Sequence, residues 1–178
     1  MIRHQIRHVA WITFMCVCWG LGNSSNAGEI KEVPRFENEL RQTTLEIKDA
    51  ILKNETKRLI QYIDAVGLIC TDSITSYSKV QRMLNDKTSP LYLSLFESEQ
   101  FAKQCGEGYP AEYPAISDKE FFLKAQDLKI EVSIVESDWA QVEIKSAVPS
   151  HSPRRFMFHR QKGKWKIREG ILTQCGCG

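Results

Sequence analysis

The chain has 178 residues, with 24 Lys and Arg against 22 Asp and Glu, and 42% hydrophobic residues. That is enough for one globular domain with a core of its own. The near balance of charge argues against a nucleic-acid binder, which needs a basic excess or stripe.

The first eight residues hold Arg3 and Arg7 with His4 and His8, and no acid. An uncharged apolar run follows over residues 9–21, then small polar residues ending in Ser25-Asn26-Ala27. A basic start, a short apolar stretch and small side chains at the −3 and −1 positions make a cleavable signal peptide. The expectation is a signal at residues 1–27, cleavage before Gly28, and a single domain over residues 28–178. As a helix, the apolar run would reach only ~20 Å, short of the ~20 residues a membrane span requires. The localisation that follows is periplasmic or secreted, with no membrane span after cleavage. Arg3 and Arg7 leave with the signal, so 22 basic residues face 22 acids and the exported domain is formally neutral.

Residues 35–53 carry Phe36, Leu40, Ile47 and Ile51 at helical spacing, with Pro34 at the start, where a missing N–H does no harm. Asn54 breaks this helix and can cap another over residues 55–63. Residues 65–70 form a short apolar run that suits a strand or a buried turn. Thr75-Ser76 can cap a helix over residues 77–85, and Pro90 begins a shorter one to residue 97. Residues 105–114 are rich in Gly and Pro and read as irregular. Ser117-Asp118-Lys119-Glu120 has the form of a capping box opening a helix through residue 126.

From Leu128 the period changes to two. Leu128, Ile130, Val132 and Ile134 alternate with polar residues. So do Ala140, Val142 and Ile144, then Phe156 and Phe158, then Trp165 and Ile167. Four such runs with short connections predict an antiparallel meander, apolar on one face and wet on the other. A tight turn is expected at residues 161–164. Helices followed by such a sheet give an α+β fold, N-terminal helices packed on a curved antiparallel meander of about four strands.

The amphipathic helix at Phe36–Ile51, the short helix after it, and a last hairpin reading Arg155-Phe156-Met157-Phe158-His159-Arg160 and then Gly163-Lys164-Trp165-Lys166-Ile167 resemble the nuclear transport factor 2-like superfamily, also called cystatin-like or SnoaL-like. The resemblance implies a cone between helices and sheet. It also implies that enzymes of the group, such as ketosteroid isomerase, place acids and tyrosines in that cone. Fold alone does not give function, since the superfamily holds enzymes, scaffolds and binding modules.

Four cysteines lie beyond residue 27: Cys70, Cys105, Cys175 and Cys177. An even number in an exported chain points to disulfides. Three pairings are possible, and Cys70–Cys105 is the preferred first bridge. On an extended strand Cys175 and Cys177 would stand ~6.6 Å apart, near the upper end for a disulfide. The alternative is a soft-metal or redox role for Cys-Gly-Cys. With only His151 and His159 beside the thiols, at no ligand spacing, no metal site and no cofactor are expected.

No phosphate-binding glycine loop, nucleophile elbow or H-E-x-x-H is present. Along the last strand the core parity runs Trp165, Ile167, Glu169, so Glu169 is expected to interrupt an apolar face. A carboxylate there would have a raised pKa and could act as a general base. Tyr62, Asp64 and Tyr77 are the other candidates for chemistry. Tyr109 and Tyr113 in the Gly/Pro stretch, with Arg155 and His159 on the wet sheet face, are candidate contacts to a partner. Asn54-Glu55-Thr56 matches a glycosylation triplet. The favoured function is non-catalytic binding of an exported protein or a small apolar ligand. A small cavity enzyme of the isomerase or hydrolase type with Glu169 as base, or an inhibitor or immunity-type protein, are the alternatives.

Overall fold

The computed structural model describes residues 26–70, 73–105 and 114–170. The expected signal peptide up to residue 25, Tyr109, Tyr113, Cys175 and Cys177 lie outside the described residues.

Helix α1 spans Asn26–Leu52. It begins nine residues before the expected start and carries Pro34 inside. Ala, Glu and Lys residues ahead of the proline favour helix, and a proline forfeits a single backbone hydrogen bond. The expected stripe packs inward: Phe36, Leu40, Ile47 and Ile51 are buried, and so is Thr44, whose hydroxyl donates to the Leu40 carbonyl at 2.7 Å. Asn54 ends the helix with a left-handed φ of 56°, and the Glu55 N–H donates back to the Ala50 carbonyl at 2.9 Å. The helix expected next is divided into α2 (Thr56–Leu59) and a 3-10 turn (Ile60–Tyr62).

A hairpin that periodicity did not reveal follows. β1 (Gly67–Cys70) pairs antiparallel with β2 (Ser73–Ser76). Gly67 has φ 115°, and a Cβ there would lie 2.0 Å from the Thr75 carbonyl oxygen. Three short helices have serine caps. Ser76 caps α3 (Tyr77–Asn85), Ser89 caps α4 (Pro90–Phe96), and Ser117 caps α6 (Asp118–Lys124). Between the last two lies α5 (Ser98–Cys105), whose Phe101 and Cys105 close a small cluster with Leu93 and Ala115.

The meander is as the alternation predicts: β3 (Lys129–Glu136), β4 (Trp139–Lys145), β5 (Arg154–Gln161) and β6 (Lys164–Glu169), in that spatial order and all antiparallel. Lys162 and Gly163, at φ 49° and 76°, make the turn between β5 and β6. Ala140, Val142, Ile144, Phe156, Phe158, Trp165 and Ile167 are buried on one face, opposite the α1 stripe. Phe36 and Trp165 meet edge to face at 5.9 Å. The interior between helix and sheet is thus filled with side chains, each buried aliphatic or aromatic one stabilising by about 1.5–3 kcal/mol.

The outer edge of β6 is covered. Ile63 forms a parallel bridge with Ile167, and the Asp64 N–H donates to the Ile167 carbonyl at 2.9 Å. Among the described residues no helix is long and apolar enough to cross a membrane.

Candidate functional site

The residues singled out for chemistry do not converge. Glu169 corrects the expectation made for it. On β6, Ile167 pairs with Phe158, but Glu169 pairs with Met157, so β6 holds one extra residue at Arg168. Such a bulge puts two consecutive side chains on one side of the strand. Glu169 therefore turns to the wet face opposite Met157 and is exposed. The cavity-enzyme reading loses the buried carboxylate it required there. Tyr77 is half-buried, and its hydroxyl donates to the Ile60 carbonyl at 3.4 Å. Arg155 is exposed and ion-paired with Glu143 at 2.7 Å across the β4–β5 ladder. With Lys145 on its other side, the Glu143 carboxyl is held below its ordinary value, Arg155 contributing most.

Asp64 and His159 do meet. Asp64 is completely buried. Its Oδ2 lies 2.9 Å from His159 Nδ1, and its Oδ1 accepts from the Val66 N–H at 2.8 Å and from Arg168 Nη1 at 3.2 Å. Trp139 stacks on the His159 ring at 4.7 Å, and Asp138 Oδ2 stands 3.8 Å from Nε2. Both Asp64 oxygens are occupied, and the cluster ties the 63–67 turn onto the outer face of β5 and β6.

A second fastening was not foreseen. Asp118, on the first turn of α6, is buried 2.7 Å from Arg154 Nε on β5. Burial pushes its carboxyl up, against the pull of Arg154. The Arg154 guanidinium lies over the Phe121 ring at 4.8 Å and donates to the Ile116 carbonyl at 2.9 Å. His151 packs on the same ring at 5.4 Å, and burial together with the Arg154 charge lowers its pKa. In sequence, Asp118 read only as part of a capping box, and nothing connected it to a residue on β5.

A concave feature of the surface lies elsewhere. A groove of about 700 Å³ runs between α1 and the β5–β6 hairpin, floored by the 3-10 turn. On α1, Asn38, Gln42 and Glu46 recur every four residues and so share one face. The facing wall is residues 163–166, with Lys164 and Lys166, and the floor is Gln61 and Tyr62. The Tyr62 hydroxyl donates to Glu46 Oε2 at 3.0 Å, and Gln42 Nε2 donates to Glu46 Oε1 at 3.1 Å. Burial, and then the Glu46 carboxylate, raise the Tyr62 pKa. Lys166 donates to the Gln61 carbonyl, and burial, followed by repulsion from Lys164, lowers its pKa. Of the candidates that lie among the described residues, only Tyr62 belongs to this groove. Acids, amides and lysines line it, together with Tyr62 and Trp165.

No family model matches the chain, and no curated protein does. Among solved structures the chain is similar to an NTF2-like protein with a cystatin-like fold from Novosphingobium aromaticivorans. The identity is 12%, over 84% of this chain and 88% of that one, with a TM-score of 0.44. It is also similar to a protein described as Rd1NTF2_05 with five substitutions, at 11% identity over 75% of this chain and 96% of that one, with a TM-score of 0.37. These are weak likenesses at the level of the fold, so the reading of function rests on the groove.

Proposed function

We propose that this chain is an exported domain that binds a polar ligand or partner without catalysis, in the groove between α1 and the β5–β6 hairpin. The observation that carries the reading is a packed interior beside an open polar groove. The space where a cavity enzyme would hold its substrate is occupied by Phe156, Phe158, Trp165 and Ile167. Export is supported by the pattern of residues 1–27. The disulfide part of the reading is supported by the even number of cysteines beyond residue 27 and by the burial of Cys105. Cys70 remains its preferred partner.

Two experiments test this. An alkaline phosphatase fused after residue 40 becomes active only outside the cytoplasm, and an inactive fusion would remove export. A photo-cross-linking residue at Gln42, in the groove, should capture a partner or ligand that the same residue at Glu131, on the exposed outer sheet face, does not. Equal capture from both positions, or none from Gln42, would refute the groove as the binding site.

A further inference from the structure

We infer that the groove takes a peptide chain, one of whose carbonyl oxygens accepts the indole N–H of Trp165. The inference rests on the groove being the binding site, and gives that site a ligand class. Trp165 lines the groove and is 3% exposed, yet its Nε1 has no hydrogen-bond partner among the described residues. A buried donor without an acceptor costs about 1–3 kcal/mol, and an unsatisfied group in a native structure calls for an explanation. Beside it stands a second such donor. Arg160 pairs with Trp165 across the β5–β6 ladder, its guanidinium 5.9 Å from the indole ring, and its Nε is likewise buried without an acceptor. The guanidinium is held over Phe36 at 4.2 Å, with Glu39 3.8 Å from Nη2. A buried N–H without an acceptor, on a residue that lines the groove, selects a ligand that brings oxygen.

The rest of the groove narrows the class. Asn38, Gln42 and Gln61 each present a donor and an acceptor, the complement of a peptide group. Glu39 and Glu46 on one wall oppose Lys164 and Lys166 on the other. A polyanion would meet the two carboxylates and a polycation the two ammonium groups, whereas an uncharged backbone meets neither penalty. Glu39, Gln42 and Lys164 are long, unbranched side chains of the groove lining, so changes of rotamer can reshape its walls.

The test uses the ¹⁵N-labelled full chain and the capped peptide acetyl-Ala-Ala-Ala-amide as probe. The indole N–H resonance of Trp165 is assigned by its loss in Trp165→Phe, which keeps an aromatic ring in the core, and by its persistence in Trp139→Phe. The expected result is a saturable downfield shift of the Trp165 indole while that of Trp139 stays in place. Trp165→Phe should bind the peptide about 2- to 10-fold more weakly, the worth of one hydrogen bond. Groove amides such as Gln42 and Gln61 shifting while the Trp165 indole does not would overturn the inference and leave groove binding standing. So would capture of a partner at Gln42 without any response to the peptide. Where Trp165→Phe does not fold, the indole shift of the parent protein decides by itself.

Discussion

Replacing Asp64 by alanine is the sharpest probe of how the 63–67 turn is fastened. Asp64 is completely buried, and its carboxylate meets three donors: Arg168 Nη1, His159 Nδ1 and the Val66 N–H. Arg168 is only 12% exposed in its side chain, so removing the carboxylate leaves a largely buried cation whose remaining partner is the Gly67 carbonyl at 3.2 Å. Breaking such a pair from one side costs about 3–5 kcal/mol. For a chain of this length that is a fall of about 6–20 °C in Tm. The assay is urea denaturation followed by far-UV circular dichroism, with thermal melts alongside. Arg168→Met should cost less than Asp64→Ala, because it leaves no unpaired guanidinium. The double variant should be more stable than the sum of the two losses predicts, by about 1–3 kcal/mol. A loss below about 1 kcal/mol for Asp64→Ala, or strict additivity in the double variant, would refute the fastening.

Gly170 has φ 104°, and a Cβ there would stand 1.9 Å from the Arg155 carbonyl oxygen. Gly170→Ala should therefore exceed the ~1–2 kcal/mol that a left-handed conformation alone costs, while Gly163→Ala, at φ 76° with open space around it, should stay within that range. Urea midpoints at unchanged slope compare the two. The His151 pKa is lowered in the folded chain, so the unfolded chain binds more protons below pH ~6.5 and stability falls as pH drops through that range. His151→Gln should flatten the dependence of Tm on pH between 7 and 5, and a parent protein whose Tm is flat or rises on acidification would contradict the sign. Glu169→Gln, on an exposed side chain, should change stability by less than about 0.5 kcal/mol and leave peptide binding untouched.

The sheet was readable because each strand buries one face, which forces period two. β4 alternates half-buried and buried from Trp139 to Lys145 without a break. The α1 stripe was readable for the same reason at period 3.6. The capping box was half right: Ser117 accepts from the Glu120 N–H at 3.2 Å, but the Glu120 carboxylate turns to Lys124 instead. Helix α5 escaped notice because only Phe101 and Cys105 are buried along it, too few to set a period. Glu169 was misplaced because parity along a strand holds only until a bulge, and no residue type announces this one. The groove was out of reach for a different reason. Its walls are more than 110 residues apart in sequence, and its most telling group, the Trp165 N–H, is defined by lacking an acceptor, a property that no sequence pattern carries.

The parallel bridge between Ile63 and Ile167 makes the two margins of the sheet unequal. On the β6 side the chain's own turn occupies the hydrogen-bonding edge, so growth of the sheet in that direction is blocked from within. On the β3 side, among the described residues, β4 is the one neighbouring strand, and Val135 lies exposed near its end. Any lengthening of the sheet, by self-association or by aggregation of a damaged molecule, is directed to β3. That margin carries its own deterrent: Lys129, Glu131 and Glu136 are exposed along it, and the Arg41 guanidinium from α1 already claims the Ile130 carbonyl.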